Sequence, residues 1–433
     1  MMEFINYLAS NFFKQPPIFL GLIAMVGLII QKKSINDILK GTLKTIIGVI
    51  IVFKGVGIIS TSITPLANAF STLYKIPDVN KFDPSAWVNT LGQFGGEVGI
   101  VLISSFIINL IVARFTPIKN IFLTGHIFFW MAFIFVAVGA QGGLTGTKLI
   151  VFGTICLSLY IIVLPALMRP LVKKVTGSDD FTIGHSTSIY CFLGAGIGKL
   201  IGDSKNSTED MKIPKQLSFL RETTIATSLF LFLTYIIVGF VIGPAARVEV
   251  FGGSIDSIAV IGGMQYDLFT FSLIASLTFG GGLIVLLTGV RLMLGEIIPA
   301  FKGISDKLIP NSIPALDVPM IFPFAQNALT IGFLISMITS IITIIFLANT
   351  GLMTYAIIPL TVACFFDVAP GTIFANAYGG RKAAIIASAV SGVVMVFLVM
   401  FSMPALINTA AGFNQAFGGN DFSLWAIIAS LFN

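Results

Sequence analysis

Long apolar runs separated by short polar connections dominate the chain. We count as membrane-crossing helices the apolar runs of about twenty residues, together with several shorter ones. This gives eleven spans, at residues 17–30, 45–60, 98–113, 121–140, 148–168, 224–244, 268–289, 328–348, 352–366, 383–403 and 422–432. The pattern therefore predicts an all-α polytopic membrane protein with about eleven transmembrane helices.

Lysine and arginine are distributed unevenly among the connections between these spans. Connections after odd-numbered spans hold most of the cations, such as Lys32 and Lys33 after the first and Arg381 and Lys382 after the ninth. Connections after even-numbered spans are nearly neutral, and residues 404–421 contain no cation. Because cytoplasmic loops carry the excess of Lys and Arg, we expect the N-terminus outside and the C-terminus in the cytoplasm.

Two long connections are too apolar to be ordinary loops. Residues 61–94 and 299–327 each contain several prolines among Leu, Ile and Phe, so both are interpreted as broken or re-entrant helices. Each follows the second span of a five-span half, spans one to five and six to ten. Because five is an odd number, two halves with the same fold must have opposite orientations in the membrane. The sequence thus predicts the inverted-repeat plan of a transporter, with residues 1–222 as the first repeat, 223–421 as the second and 422–433 as a final helix.

The composition excludes several functional classes. With 56% hydrophobic and 10% charged residues, the chain does not match a soluble globular protein. The net charge of +6 is attributed to loop lysines near anionic lipid headgroups, because no basic block is long enough to bind nucleic acid. The three cysteines are scattered, so we expect no disulfide framework, no metal site and no cofactor. No catalytic triad or nucleotide-binding loop occurs, which favours a transport subunit over an enzyme.

A polar cluster at residues 182–190 interrupts the apolar sequence after the fifth span. It places the imidazole of His185 beside the hydroxyl of Ser186 and further hydroxyls and a phenol. Polar groups without water are costly in a membrane, so we interpret the cluster as facing a ligand; a solvated cytoplasmic loop is the alternative. The glycines at 194, 196 and 198 that follow permit close backbone approach and predict either a hairpin tip or a tight helix contact.

Other candidate residues stand out for the same reason. His126 lies near the start of the fourth span, where an ionisable side chain is a functional hypothesis by default, with a helix-capping or interhelical hydrogen bond as its alternative role. Asp317 lies in the second broken segment and needs donors such as sugar hydroxyls, with a helix cap as its alternative role. Phe129 and Trp130 have rings suited to stacking on a sugar, although most aromatic residues in such a chain form core. Asp367 and Arg381 are interpreted as a structural pair.

Short motifs from the second span to the tenth resemble one known family. They are GTLKTIIG at 41–48, LTGHI at 123–127, IGH at 183–185, GVR at 289–291 with Glu296, AFKGIS at 300–305, LIP at 308–310, ALD at 315–317, IFAN at 373–376 and GG at 379–380. Together they are similar to the membrane (IIC) subunits of the bacterial phosphoenolpyruvate-dependent sugar phosphotransferase system, in the ascorbate branch of the ascorbate–galactitol group.

The resemblance implies a homodimer in the bacterial cytoplasmic membrane, whose dimerising and transport domains interleave between the repeats. The transport domain would carry substrate by an elevator-like movement, and a separate IIB subunit, charged by IIA, would phosphorylate it. Matched by position, the family's substrate contacts fall on His126, His185 and Asp317. Ser186 and Trp130 stand where ascorbate members have glutamine, which leaves the substrate open between ascorbate and a related polyhydroxy compound. The expected substrate-binding set is His126, Phe129, Trp130, His185, Ser186 and Asp317.

An ion-coupled secondary transporter of a small polar solute is the alternative function. It uses the same inverted-repeat architecture. No cluster of buried carboxylates for Na⁺ or H⁺ is evident in the sequence, which favours the phosphotransferase interpretation.

Overall fold

The computed structural model describes residues 16–75, 83, 85–211, 219, 222–251, 259–261 and 264–433. Its helices are α1 Pro16–Ile30, α2 Ile35–Leu73, α3 Ala86–Phe115, α4 Gly125–Gln141, α5 Gly146–Thr176, α6 Ser188–Ile201, α7 Thr223–Phe251, α8 Leu268–Leu308, α9 Gln326–Asn349, α10 Thr361–Ala363, α11 Ala369–Ser402, α12 Ala411–Phe417 and α13 Asp421–Ser430. Its strands are β1 Asn120–Phe122, β2 Thr182–Ile183, β3 Ala259–Ile261, β4 Met264–Tyr266 and β5 Ile313–Leu316. Within these ranges, seven helices are long and apolar enough to cross a membrane. The chain is an all-α polytopic membrane protein.

The outer faces of the long helices are apolar, as a lipid environment requires. On α5, large hydrophobic side chains at Val151, Ile155, Leu159 and Leu167 are all at least half exposed. Their spacing of four and eight residues puts them on one side of the helix. That side faces away from the protein core, so we expect it to contact lipid.

The predicted ninth span, residues 352–366, is not a single helix. Residues 352–360 form no regular helix, and helical structure begins at Thr361, after Pro359. The chain then passes through a π-helical stretch, Cys364–Val368, directly into α11. Proline lacks an N–H and restricts the residue before it, which accounts for a helix that starts later than the hydropathy suggests.

The two predicted broken segments differ in the structure. The first, residues 61–94, is largely helical among the residues described: α2 continues through Pro65 to Leu73, and α3 starts at Ala86 with a kink at Phe94. Packing against neighbouring helices lets a membrane helix accommodate an internal proline. The second, residues 299–327, is broken as predicted, because β5 and a 3₁₀ helix, Val318–Phe324, follow α8.

Three short parallel strands lie between the helices, and the sequence analysis did not predict them. β5 is the central strand, with β1 and β2 on either side. The amide of Asn109 on α3 accepts from Phe122 N at 3.1 Å and donates to Asn120 O at 2.9 Å, which satisfies the free edge of β1. Extended backbone at membrane depth is stable only when its polar groups are paired inside the protein.

The short helix α6 packs closely against the first half of α11. A Cβ atom added to Gly194 would lie 2.3 Å from the carbonyl oxygen of Gly371, and one added to Gly198 would lie 2.7 Å from the Cβ of Tyr378. These glycines let two backbones approach each other, so of the two predicted arrangements the structure has the tight helix contact and not the hairpin tip. The same contact fixes α6 relative to the helix that follows Asp367.

We expect Gly194→Ala to destabilise the protein, because the added methyl group overlaps a backbone oxygen that cannot rotate away. Forced overpacking of this kind costs about 1–3 kcal/mol. A Cβ atom added to Gly196, on the same helix, would meet no neighbouring atom within 4 Å, so Gly196→Ala should be neutral or slightly stabilising. Melting temperatures in detergent compare the two variants; equal melting temperatures would contradict the tight packing of α6 on α11.

Candidate functional site

The ends of the three parallel strands bring His126, His185 and Asp317 together. β1 leads through Leu123 into the first turn of α4, where His126 lies; β2 is followed by Gly184 and His185; β5 is followed directly by Asp317. Parallel strands have their carboxyl ends at the same edge of a sheet. Three residues that are far apart in sequence therefore meet at one edge.

Asp317 lies between the two imidazoles. Its Oδ2 is 3.8 Å from His126 Nε2, and its Oδ1 is 3.7 Å from His185 Nε2. The two rings face each other edge to face, with centroids 5.9 Å apart. The side chain of His185 is 4% exposed, whereas those of His126 and Asp317 are 22% and 42% exposed. The site is thus closed behind His185 and open in front of Asp317.

The local backbone holds the carboxylate of Asp317 in place. Asp317 caps the 3₁₀ helix that follows it, and its Oδ1 accepts from Val318 N at 2.8 Å. The capping role considered from the sequence is therefore real. The cap uses only Oδ1, and Oδ2 takes no part in it. Asp317 can therefore act both as a helix cap and as a ligand-binding residue.

A second carboxylate lies behind His185. Asp367 is buried, and its Oδ1 is 3.6 Å from His185 Nδ1. The hydroxyl of Ser186 donates to the same oxygen at 2.6 Å, and the amide of Asn420 donates to Oδ2 at 2.8 Å. Asp367 thereby links the His185 stretch to the chain just before α13.

Asp421 fixes the start of α6 in a similar way. Its carboxylate accepts from the backbone N–H groups of Ser188 and Ile189 at 3.3 and 3.0 Å and from the Tyr160 hydroxyl at 3.3 Å. A carboxylate at a helix N-terminus satisfies amides that have no partner in the helix. In addition, Asp421 N donates to Ser186 O at 3.0 Å. The His185 stretch is therefore anchored on both sides by residues from the C-terminal segment.

The other predicted site residues lie deeper in the protein. Phe129 and Trp130 are one turn beyond His126 on α4, and both are buried. The ring of Trp130 packs against Trp87 and Phe413, with centroids 5.8 and 5.1 Å away. Phe129 and Trp130 therefore belong to a buried aromatic cluster, and their contact with a ligand stays a prediction. The Ser186 hydroxyl is directed to Asp367, so a role through that carboxylate is the simplest one for it.

Two interpretations of acidic residues were wrong. In the described part of the chain, the ion-pair contact of Asp367 is with His185 and not with Arg381. The sequence analysis also found no cluster of buried carboxylates. In the structure, however, Asp367 and Asp421 are both buried, and Asn420, the neighbour of Asp421, donates a hydrogen bond to Asp367. This hydrogen-bond network of Ser186, Asp367 and Asn420 could not be predicted from the sequence, because its residues lie far apart along the chain. Isolated acids in apolar stretches were the available signal.

The arrangement suits the recognition of neighbouring hydroxyl groups. Each neutral imidazole has one nitrogen that donates and one that accepts, and an ionised carboxylate accepts only. A polyhydroxy ligand can therefore donate to Asp317 while it bonds to His126 and His185. The three side chains and the ligand would thus satisfy one another's hydrogen bonds in apolar surroundings. Small-molecule sites commonly have this design, in which a few well-placed polar groups orient the ligand in an otherwise apolar pocket.

Comparison with protein families identifies the chain. The family model EIIC-GAT, described as the PTS system sugar-specific permease component, matches residues 11–421. The chain belongs to this family of permeases. It is therefore a membrane transport component, and the expected family resemblance is confirmed.

One curated relative is the ascorbate-specific PTS system EIIC component of Mycoplasma pneumoniae. It is 26% identical over 457 aligned residues, which cover 92% of this chain and 66% of the relative. The chain thus spans about two thirds of that relative's length.

Proposed function

We propose that this permease moves ascorbate or a related polyhydroxy compound across the membrane for phosphorylation by a separate IIB subunit. The observation that carries the proposal is the meeting of His126, His185 and Asp317 at one edge of the strands. A carboxylate between two imidazoles binds vicinal hydroxyls with charge-assisted hydrogen bonds. Family membership and the ascorbate-specific relative support this substrate class.

The contact between the His185 stretch and the C-terminal segment supports a site inside the membrane. From the charge pattern, residues 181–201 enter from the cytoplasm and residues 404–421 from outside. Yet Asp421 N donates to Ser186 O, and most of residues 403–423 are buried. Two segments that enter from opposite sides and touch would meet within the bilayer. This is the plan of transporters built from inverted repeats, with residues 1–222 and 223–421 as the two halves.

Transport then requires the site to open to each side in turn. We infer an elevator-like movement in which the α6 and α11 pair, held by close glycine contacts, moves as one body with His185. We also propose that the permease is a homodimer surrounded by membrane lipid. Its dimerising domain would be interleaved with the transport domain between the two repeats. The basic side of the membrane is assigned to the cytoplasm, where residues 199–221 would contact IIB; of these, 212–218, 220 and 221 lie outside the described residues.

The ion-coupled alternative gains one observation from the structure. Asp367 and Asp421 are buried in the protein interior, as proton- or sodium-binding carboxylates of secondary transporters are. However, the oxygens of Asp367 accept from Ser186 and Asn420, and those of Asp421 accept from two amides and a phenol. These bonds give both acids a structural task, so the phosphotransferase interpretation is preferred.

Binding to the purified protein tests the substrate class. Ascorbate, galactitol and a pentitol should be compared by isothermal titration in detergent, with the His185→Ala variant beside the native chain. We expect one member of this panel to bind at one site per chain and to lose affinity in the variant. Equal binding of all three to both proteins, or no binding of any, would contradict the assignment of the site.

A further inference from the structure

His126, His185 and Asp317 form a cluster of three metal-ligating side chains. One ligand atom from each lies within 4.8 Å of the other two. The chain contains only two histidines, and both belong to this cluster. Two imidazoles and one carboxylate on one side of a cation leave its remaining positions open, as in the facial triads of non-haem metal sites.

The distances are close to those of a metal centre. The Asp317 oxygens lie 3.8 and 3.7 Å from the Nε2 atoms of His126 and His185. Ligands at about 2.0–2.2 Å from a tetrahedral zinc ion are roughly 3.4 Å apart. Because the ligand atoms of the three residues lie within 4.8 Å of one another, shifts of up to about 1 Å would bring them to the separations of a zinc centre. Asp317 is at the open side of the site, where its side chain has room for that movement.

The surroundings of the cluster also match a metal centre. His185 Nδ1, which faces away from the cluster, lies 3.6 Å from Asp367 Oδ1 and 3.4 Å from the Ser186 hydroxyl. Metal-binding histidines almost always have a carboxylate, carbonyl or water behind the second ring nitrogen. Asp317 likewise accepts a backbone hydrogen bond from Val318, as ligating carboxylates commonly do.

We propose that His126, His185 and Asp317 bind one divalent transition-metal ion, and that this ion competes with the sugar. Imidazole nitrogens select zinc, cobalt or nickel over magnesium and calcium, which prefer all-oxygen sites. The metal would occupy the atoms that are assigned to substrate hydroxyls, so the inference rests on the proposed function. A bound metal ion would therefore block transport from within the substrate site.

Zinc binding to the purified chain, prepared without a polyhistidine tag, tests the proposal. Zinc is titrated against a coloured chelator, with magnesium as a negative probe, and cobalt is added separately to observe its visible absorption. We expect one zinc per chain, no magnesium, and a cobalt spectrum with nitrogen ligands. Bound ascorbate should fall as zinc rises.

Matched variants separate this site from others. Asp317→Asn and His185→Gln should each lower zinc affinity tenfold or more. Asp179→Asn and Cys156→Ser should leave zinc affinity unchanged, because neither residue belongs to the cluster. They are suitable controls because Asp179 is a surface carboxylate and Cys156 is the one cysteine of the chain that is not fully buried. Unchanged zinc affinity in Asp317→Asn, or zinc that binds without displacing ascorbate, would overturn the proposal.

A chelator distinguishes the failure of this inference from that of the proposed function. If ascorbate binds in excess chelator and the chain takes up no zinc, the metal proposal fails and the substrate site stands. If zinc does not bind and none of ascorbate, galactitol and the pentitol binds, both proposals fail.

Discussion

Replacing Asp317 with asparagine should weaken ascorbate binding by roughly tenfold to more than a hundredfold. Hydrogen bonds to a charged group contribute about 1.5–3 kcal/mol, and each 1.4 kcal/mol is a factor of about ten in affinity. Asparagine is also a good cap residue, so the 3₁₀ helix that begins at Val318 should survive. The loss is therefore expected in binding and not in folding, and isothermal titration beside a melting curve measures both.

A surface carboxylate supplies the control for this variant. Asp179 pairs with Arg169 at 2.7 Å, and the guanidinium holds the pKa of that carboxyl below its usual value. Asp179→Asn removes the same charge from the protein without touching the site, so substrate affinity should not change. Native affinity in Asp317→Asn would reduce that residue to a helix cap. Equal losses in the two variants would indicate a general effect of charge.

Asp367→Ala should cause the second large effect, a loss of stability and of substrate binding together. The change leaves the Ser186 hydroxyl and the Asn420 amide buried without their acceptor. Each unsatisfied buried group costs about 1–3 kcal/mol. Because Ser186 adjoins His185, the ring should also lose its position. Asp367→Asn, which keeps an acceptor oxygen, should recover part of both losses.

An exposed pair with the same geometry is the control for Asp367. The Ser178 hydroxyl donates to Asp180 at 2.6 Å, the same distance as from Ser186 to Asp367, but at the protein surface. Water replaces a lost partner there, so Asp180→Ala should change stability by no more than about 0.5 kcal/mol. Melting temperature and ascorbate affinity are measured for both alanine variants. If Asp367→Ala behaves like Asp180→Ala, the buried network has no positioning role.

The sequence predicted the helical membrane protein and singled out the three polar residues of the candidate site, for a clear physical reason. His126, His185 and Asp317 are polar groups in apolar surroundings, and such groups need partners in a membrane. Each could be singled out locally, without knowledge of the fold. The family resemblance implied that they contact one substrate, but the strands that bring them together were not predictable, because strands of two to four residues show no alternating pattern and pair across long separations.

Other errors have equally specific causes. Pro65 was taken as a break, but α2 continues through it because α8 and α7 pack against that helix. Asp367 was assigned to Arg381 by proximity in sequence, whereas its partners come from residues 186 and 420. Residues 404–421 contain no cation and most of them are buried, but no sequence pattern indicated their contact with the His185 stretch through Asp421 and Ser186. Local patterns carry no information on contacts of this range.

Uptake into sealed vesicles that contain this chain as their only transporter tests the central claim most directly. Labelled ascorbate is supplied outside, first with sodium or proton gradients and then with phosphorylated IIB inside. The account predicts no concentrative uptake with either gradient, and accumulation of phosphorylated sugar once the partner is present. Concentrative uptake driven by a sodium or proton gradient without IIB would contradict it and establish the ion-coupled alternative.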